Sequence, residues 1–178
     1  VANDILVHNS TLLLTWAKNI AYVTGSPVLY IDTEMSFEEQ QYRLLSMLSA
    51  TPEREVKNGT FGRDPEKKSA VLSAAEILSN NQDRLLHKYY PDFTPEGIAA
   101  LVRKYKHQYN IGCVIFDYIK MPEADIRLSS HVKEYQALGY LTSSFKTIAG
   151  TLNIPFITAS QINREGKGSR VNSSDFAD

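Results

Sequence analysis

Three consecutive residues near the start of the chain, His8, Asn9 and Ser10, carry the side chains that a peptide-bond rearrangement requires. The Asn9 side-chain amide can attack its own backbone carbonyl and cut the bond to Ser10. The His8 imidazole can protonate the departing amide, while the Ser10 hydroxyl can carry an acyl group. The competing interpretation is a turn at Asn3-Asp4 followed by a short apolar strand, Ile5 to Val7.

The octapeptide that contains this triplet, residues 3–10, resembles the C-terminal end of an intein, with Ser10 as the first residue of the host protein. The resemblance divides the chain into residues 1–9, the end of an intein, and residues 10–178, a domain of the host. The chain has no initiator methionine and stops at Asp178, which favours a piece cut from a longer product. We therefore expect protein splicing at the bond between Asn9 and Ser10.

The segment after Ser10 predicts an amphipathic helix, because apolar residues recur at helical spacing from Leu12 to Ala21. A phosphate-binding P-loop ends in Gly-Lys-Ser/Thr and runs directly into such a helix. Ser10 stands where the final hydroxyl of that loop would be, with Thr11 beside it, but residues 1–9 contain no glycine or lysine. An intein inserted into a nucleotide-binding loop explains both features and places the host's Gly-Lys upstream. The alternative is a core helix with no nucleotide near it.

Length and composition indicate one domain with a real core, since 43% of the 178 residues are hydrophobic. The formal net charge of −1 means that any contact with nucleic acid must come from local basic loops. The single cysteine, Cys113, lies in an apolar run; it excludes an intrachain disulfide and favours a cytosolic setting. The sequence shows no signal peptide and no apolar run long enough to span a bilayer, so we expect no membrane partner.

Short apolar runs alternate with helix-start signals along the chain. The runs predict three buried strands: Val28–Ile31, Cys113–Phe116 and Pro155–Ala159. Five further helices are predicted. The first opens at Ser36, where Glu39 completes a capping box, and reaches about Leu48. The others open at Thr51-Pro52-Glu53, lie around Ala70 to Leu78, run from Thr94-Pro95-Glu96 to Asn110, and span Val132 to Leu152. This alternation predicts an α/β fold in which helices flank a parallel sheet.

Polar residues follow each predicted strand, at the edge where parallel sheets bind ligands. Asp117 has the position of a Walker B acid and would hold Mg²⁺ opposite the Ser10 hydroxyl. Glu34 could orient and deprotonate an attacking water, which contributes roughly 10²–10⁴ in rate. Gln161 could sense the γ-phosphate through its amide. The structural alternatives are an aspartate at a turn, a solvated glutamate and a satisfied polar residue at a strand end.

Taken together, these segments resemble the C-terminal motor domain of replicative DNA helicases, the DnaB-like family. The matching stretches are residues 10–14, 30–36, 114–119 and 155–164, and those with Glu34-Met35-Ser36 and Ser160-Gln161-Ile162-Asn163-Arg164 are fairly specific. The resemblance covers Ser10 to about Arg164 and implies a RecA-like P-loop NTPase core, truncated at both ends. It also implies a homo-hexamer, in the cytoplasm of a bacterial or phage-infected cell, that hydrolyses ATP with Mg²⁺ while translocating on single-stranded DNA. A primase and a helicase loader are further candidate partners.

The same resemblance assigns a role to each candidate site residue. Ser10 and Thr11 would bind nucleotide and Mg²⁺, and Asp117 would be the Walker B acid. Glu34 would be the catalytic base and Gln161 the γ-phosphate sensor. The chain departs from the family in two ways: the P-loop Gly-Lys is absent, and the sequence stops before the region of the arginine finger, which contributes roughly 10³–10⁵ in rate. We therefore expect this chain alone to hydrolyse ATP negligibly.

Contacts with DNA are expected from the loops after the second and third predicted strands. The first loop spans about Met121 to Val132 and has Arg127 within it and Lys133 directly after it. The second carries Arg164, Lys167 and Arg170 among glycines and serines. A glycine-rich basic loop suits tracking of a phosphate backbone. The alternative is a solvated surface loop.

Three other functions remain open from the sequence. A recombinase of the RecA/RadA type is the nearest, because residues 30–34 also resemble a strand of that family. The chain could instead act chiefly as a protein-splicing precursor that gains helicase function after ligation. The third is a nucleotide-binding regulator without a DNA partner. Strand exchange, unwinding and splicing assays distinguish these alternatives.

Overall fold

The computed structural model describes the backbone of residues 9–119 and 134–160, and the side chains of residues 10–117 and 138–159. At its centre is a four-stranded parallel sheet with the strand order β2-β1-β3-β4. The strands are β1 (Val28–Asp32), β2 (Leu85–Tyr89), β3 (Cys113–Ile119) and β4 (Phe156–Ser160). The predicted parallel α/β fold and its three strands are confirmed.

The strand β2 is absent from the sequence prediction. It pairs only with β1 among the described strands, in the register Tyr30↔His87, and so forms one edge of the sheet. An edge strand has one unpaired side and is covered less completely, and β2 accordingly ends with the exposed residues Lys88 and Tyr89. Strand β2 is therefore not a continuous apolar run of the kind that predicts a buried strand.

Helices and helical turns connect the strands. They are α1 (Asn9–Asn19), which continues as a π-helical turn (Ile20–Thr24); α2 (Phe37–Ser49); α3 (Glu53–Lys57), followed by a 3₁₀ turn (Thr60–Arg63); α4 (Pro65–Asn80); α5 (Pro95–Tyr109); and α6 (Glu134–Leu152). All the predicted helices are present, with ends shifted by a few residues. The predicted start of α6 at Val132 lies outside the described residues.

Local signals set several of these helix ends. Ser36 and Glu39 form the predicted capping box, in which each side chain bonds the backbone N–H of the other residue. The Thr94 hydroxyl accepts from the Gly97 N–H and caps α5, which ends at Asn110 in the left-handed conformation. Asp64 caps α4 in the same way, accepting from the N–H groups of Glu66 and Lys67, although the sequence analysis placed the start of α4 later.

Residues of β1 and β3 point alternately to the two faces of the sheet. Leu29 and Phe116 belong to a core cluster with residues of α5 and α6, whereas Tyr30 and Ile115 belong to a second cluster with residues of α1 and α2. The central strands are therefore buried on both sides, as continuous apolar strands of a parallel sheet should be. None of the helices in the described ranges is both long and apolar enough to cross a membrane.

Candidate active site

The carboxyl ends of β1 and β3 lie side by side, with Asp32 and Asp117 in register. Helix α1 brings Ser10 to the same edge, where its hydroxyl donates to Oδ1 of Asp117 at 3.2 Å. The two residues are separated by 107 positions in sequence. The fold thus places together the hydroxyl and the acid that the sequence analysis assigned to nucleotide and Mg²⁺.

Asp117 is held on its other oxygen by a residue that the sequence analysis did not assign to the site. The hydroxyl of Tyr30, which is fully buried, donates to Oδ2 of Asp117 at 2.5 Å. Burial raises the pKa of the Asp117 carboxyl, while the hydrogen bonds from Tyr30 and Ser10 act in the opposite direction. Burial, together with the Asp117 charge, also raises the pKa of Tyr30, so the phenol stays a hydrogen-bond donor.

Asp32 organises the loop that follows β1. Its Oδ1 accepts from the backbone N–H of Glu34 at 2.8 Å and from that of Met35 at 2.6 Å. The backbone of Thr33 donates to the Asp117 carbonyl at 3.2 Å, which ties the same loop to β3. The backbone around Glu34 is therefore fixed by two sets of hydrogen bonds, those to Asp32 and the one from Thr33 to β3. An aspartate that bonds N–H groups two and three residues ahead is a recognisable turn signal, but its link to Glu34 was not predicted.

A cleft of about 550 Å³ opens at this edge of the sheet. It is lined by all four described candidates, Ser10, Thr11, Glu34 and Asp117. The lining also includes residues that the sequence analysis did not select: Asp32, Met35, Glu39, Arg43, Ser46, Met47 and Glu53. A volume of this size is that of a small-molecule site.

Arg43 supplies positive charge to a cleft that is otherwise acidic. Its Nε lies 3.4 Å from Oε2 of Glu53, and both side chains are partly exposed. The ion pair leaves most of the guanidinium donors for other acceptors, because a guanidinium carries five N–H groups. Sequence alone did not predict a place for Arg43, since the face of α2 that meets the cleft depends on how that helix packs against the sheet.

The residues at the sheet edge fit a hydrated Mg²⁺ ion. Within the described side chains, no group of three His, Cys, Asp or Glu residues could hold a metal by itself. Mg²⁺ usually keeps several waters and takes one or two protein ligands together with substrate phosphates. A hydroxyl beside a carboxylate, as in Ser10 and Asp117, is a donor set of that kind.

The remaining candidates cannot be located in the same way. Asn9 is the first residue of α1, but only its backbone is described. The others lie outside the residues whose side chains the structure describes: His8, Arg127, Lys133, Gln161, Arg164, Lys167 and Arg170. Their predicted roles in splicing, γ-phosphate sensing and DNA binding stay predictions.

A family model for the DnaB-like helicase C terminal domain matches residues 7–177. The chain belongs to this family. A probable replicative DNA helicase from Trieres chinensis is 31% identical over 156 residues, which are 85% of this chain and 32% of that protein. The replicative DNA helicase DnaB of Rickettsia felis is 30% identical over 139 residues, or 76% of this chain and 26% of that protein. Family membership favours the helicase interpretation over the recombinase.

Solved structures share the fold of this DnaB-like domain. One of them, an ATPase domain, matches 93% of this chain and 58% of its own with a TM-score of 0.79 and 20% identity. A DnaB-like replicative helicase, described with its interactions with primase, matches 92% of this chain and 38% of its own with a TM-score of 0.76 and 18% identity. The RecA-like sheet flanked by helices is thereby confirmed. The chain spans about a third or less of the length of the curated relatives above.

Proposed function

We propose that this chain is part of a replicative DNA helicase that hydrolyses ATP to translocate on single-stranded DNA and unwind the duplex. The observation that carries the proposal is the contact between the Ser10 hydroxyl and Asp117, at 3.2 Å, in the cleft that Glu34 also lines. The working protein would be a homo-hexamer in the cytoplasm of a bacterial or phage-infected cell, with a primase and a loader as partners.

Each polar residue of the cleft would have a separate task. Ser10 and Asp117 would hold Mg²⁺, and Thr11 would bind the nucleotide beside them. The bound ion would supply positive charge against the phosphate groups of the nucleotide. Glu34 would orient the attacking water and accept its proton, from a backbone that Asp32 fixes through two hydrogen bonds.

The role of Glu34 is tested in the intact, spliced helicase. Glu34→Gln keeps the size of the side chain but removes the base, so the kcat for ATP should fall roughly 10²–10⁴-fold. The KM should change little, because Glu34 would act on water and not on the nucleotide. Glu38→Gln is the matched control, since Glu38 is exposed and does not line the cleft. Equal turnover by the two variants would remove Glu34 from the mechanism.

We also propose that residues 1–9 are the end of an intein that interrupts the P-loop. The His8-Asn9-Ser10 sequence supports this, as does the missing Gly-Lys before a hydroxyl that lies at the candidate magnesium site. Supplying the missing intein portion, in cis or in trans, should release the residues before Ser10, as followed by mass spectrometry. Asn9→Ala should block the release. An unchanged mass with the unsubstituted chain would contradict the proposal.

The two basic loops would contact single-stranded DNA through Arg127, Lys133, Arg164, Lys167 and Arg170. Changing the three residues of the second loop to Ala in the spliced protein should weaken binding and flatten its salt dependence, by about 0.7 in slope for each phosphate that is no longer neutralised. A control removes equal charge from exposed positions in the 3₁₀ turn, α4 and α5: Arg63, Lys68 and Arg103. Equal binding by the two triple variants would exclude this loop.

A further inference from the structure

Two buried polar side chains, one of which lines the cleft, lie close together without a hydrogen bond between them. His87 on β2 and Asp32 at the end of β1 have side chains that are 1% and 2% exposed, with Nε2 and Oδ2 3.9 Å apart. Among the described residues, neither ring nitrogen of His87 nor Oδ2 of Asp32 has a hydrogen-bond partner. A buried polar atom without a partner is destabilising, because it loses its hydrogen bonds to water on folding and forms none in the protein. Two such groups side by side therefore call for a functional explanation.

Asp32 is the acceptor toward which the His87 imidazole could donate a hydrogen bond, because the other neighbours of the ring are aromatic. The rings of Tyr30 and Phe37 pack beside the imidazole, with centroids 6.2 Å and 5.9 Å away. These contacts hold the ring but offer its nitrogens no partner. A movement of about 1 Å would bring Nε2 within hydrogen-bond distance of Oδ2.

Asp32 connects β2 to the loop that carries Glu34. Its Oδ1 already accepts from the N–H groups of Glu34 and Met35, while its carbonyl accepts from the Tyr90 N–H at 2.7 Å. A donor on Oδ2 would fix the plane of the carboxylate. The two backbone N–H groups bonded to Oδ1 would then be fixed as well.

We propose that His87 is a positioning residue, whose Nε2–H donates to Oδ2 of Asp32 and thereby holds the backbone of Glu34 in its working place. His87 does not line the cleft and acts only through Asp32. The inference deepens the proposed function and rests on it, because the residue positioned is the proposed catalytic base.

The first experiment measures ATP turnover by the intact helicase. His87→Gln keeps an N–H donor near the position of Nε2, whereas His87→Leu has a similar volume and no donor. His87→Leu should lower kcat roughly 10- to 100-fold, as small misplacements of catalytic groups do, with little change in KM. His87→Gln should restore most of that activity. Equal kcat values for the two variants would overturn the proposal.

The second experiment does not depend on turnover and uses the 178-residue chain. Hydrogen exchange of the Glu34 and Met35 amides should be faster in His87→Leu than in His87→Gln, with Val102 in α5 as an unaffected internal reference. Unchanged exchange overturns the positioning role. Faster exchange together with full turnover by Glu34→Gln would preserve the positioning role and refute the proposed base.

A third variant serves if His87→Leu fails to fold. Asp32→Asn leaves an oxygen to accept from Glu34 and Met35, but presents an NH₂ group to His87. The imidazole should then change tautomer, so that Nε2 accepts, and long-range ¹H–¹⁵N spectra distinguish the two tautomers. An unchanged tautomer would show that His87 and Asp32 do not interact.

Discussion

Tyr30→Phe removes one buried oxygen and leaves the rest of the side chain in place. The deleted hydroxyl donates to Oδ2 of Asp117 at 2.5 Å, a distance typical of a hydrogen bond to an ionised acceptor. Such bonds contribute about 1.5–3 kcal/mol. We therefore expect the free energy of unfolding at pH 7 to fall by about 2 kcal/mol, and the Tm of a chain of this length to fall by about 4–8 °C.

The cost of Tyr30→Phe should depend on pH. Burial raises the pKa of Asp117 in the folded state, and the Tyr30 hydrogen bond opposes that rise. The associated stability is fully present below the unfolded pKa of about 3.9, and it is lost as pH rises through the higher folded pKa. Without the Tyr30 donor the folded pKa rises further, so the variant should lose more stability at pH 7 than near pH 4.

Thermal and urea denaturation of the 178-residue chain at both pH values measure these effects. Tyr22→Phe is the matched control, because the hydroxyl of Tyr22 makes no hydrogen bond to any other described residue and its pKa is raised by burial alone. The control should change stability by less than about 0.5 kcal/mol. The inferred interaction between Tyr30 and Asp117 is wrong if the two variants lose the same free energy of unfolding, or if the loss in Tyr30→Phe does not change with pH.

Three further predictions concern the charge of the site, the capping of α2 and the buried thiol. Asp117→Asn should raise the Tm at pH 7 without metal, because it removes a buried charge. The gain in Tm should vanish near pH 4. The same substitution should abolish ATPase activity in the intact helicase. Ser36→Ala should lower the free energy of unfolding by about 1 kcal/mol in urea titrations, because it removes the capping box. Burial raises the pKa of Cys113 to about 11, so a thiol reagent at pH 8 should modify the folded chain far more slowly than the denatured chain.

Periodicity and capping chemistry predicted the buried part of this fold, and solvent-facing elements were less predictable. The strands β1 and β3 are continuous apolar runs because both of their faces are covered. Strand β2 lies at an edge and mixes Leu85 and Leu86 with polar residues, so its pattern does not distinguish it from a loop. Its parallel pairing with β1 depends on contacts between distant parts of the chain.

The candidate site was predictable where a residue lies at or just beyond the carboxyl end of a strand, or opens a helix. Ser10, Glu34 and Asp117 satisfy this condition, since parallel strands bring their carboxyl ends to one edge of the sheet. Tyr30 and Arg43 do not satisfy it. Tyr30 looked like an ordinary core residue inside β1, and Arg43 is about two turns into α2, where its direction follows from tertiary packing.

The hydrogen bonds that Asp117 accepts from Ser10 and Tyr30 have a consequence for the order of folding. Ser10 and Tyr30 are separated from Asp117 by 107 and 87 positions. Both hydrogen bonds therefore bring together the ends of long chain segments, which happens late in folding and at a large entropic cost. A partly folded chain with only its local helices would have no site for the ligand. Nucleotide would consequently bind only the completed sheet and, by mass action, shift the chain away from its intermediates.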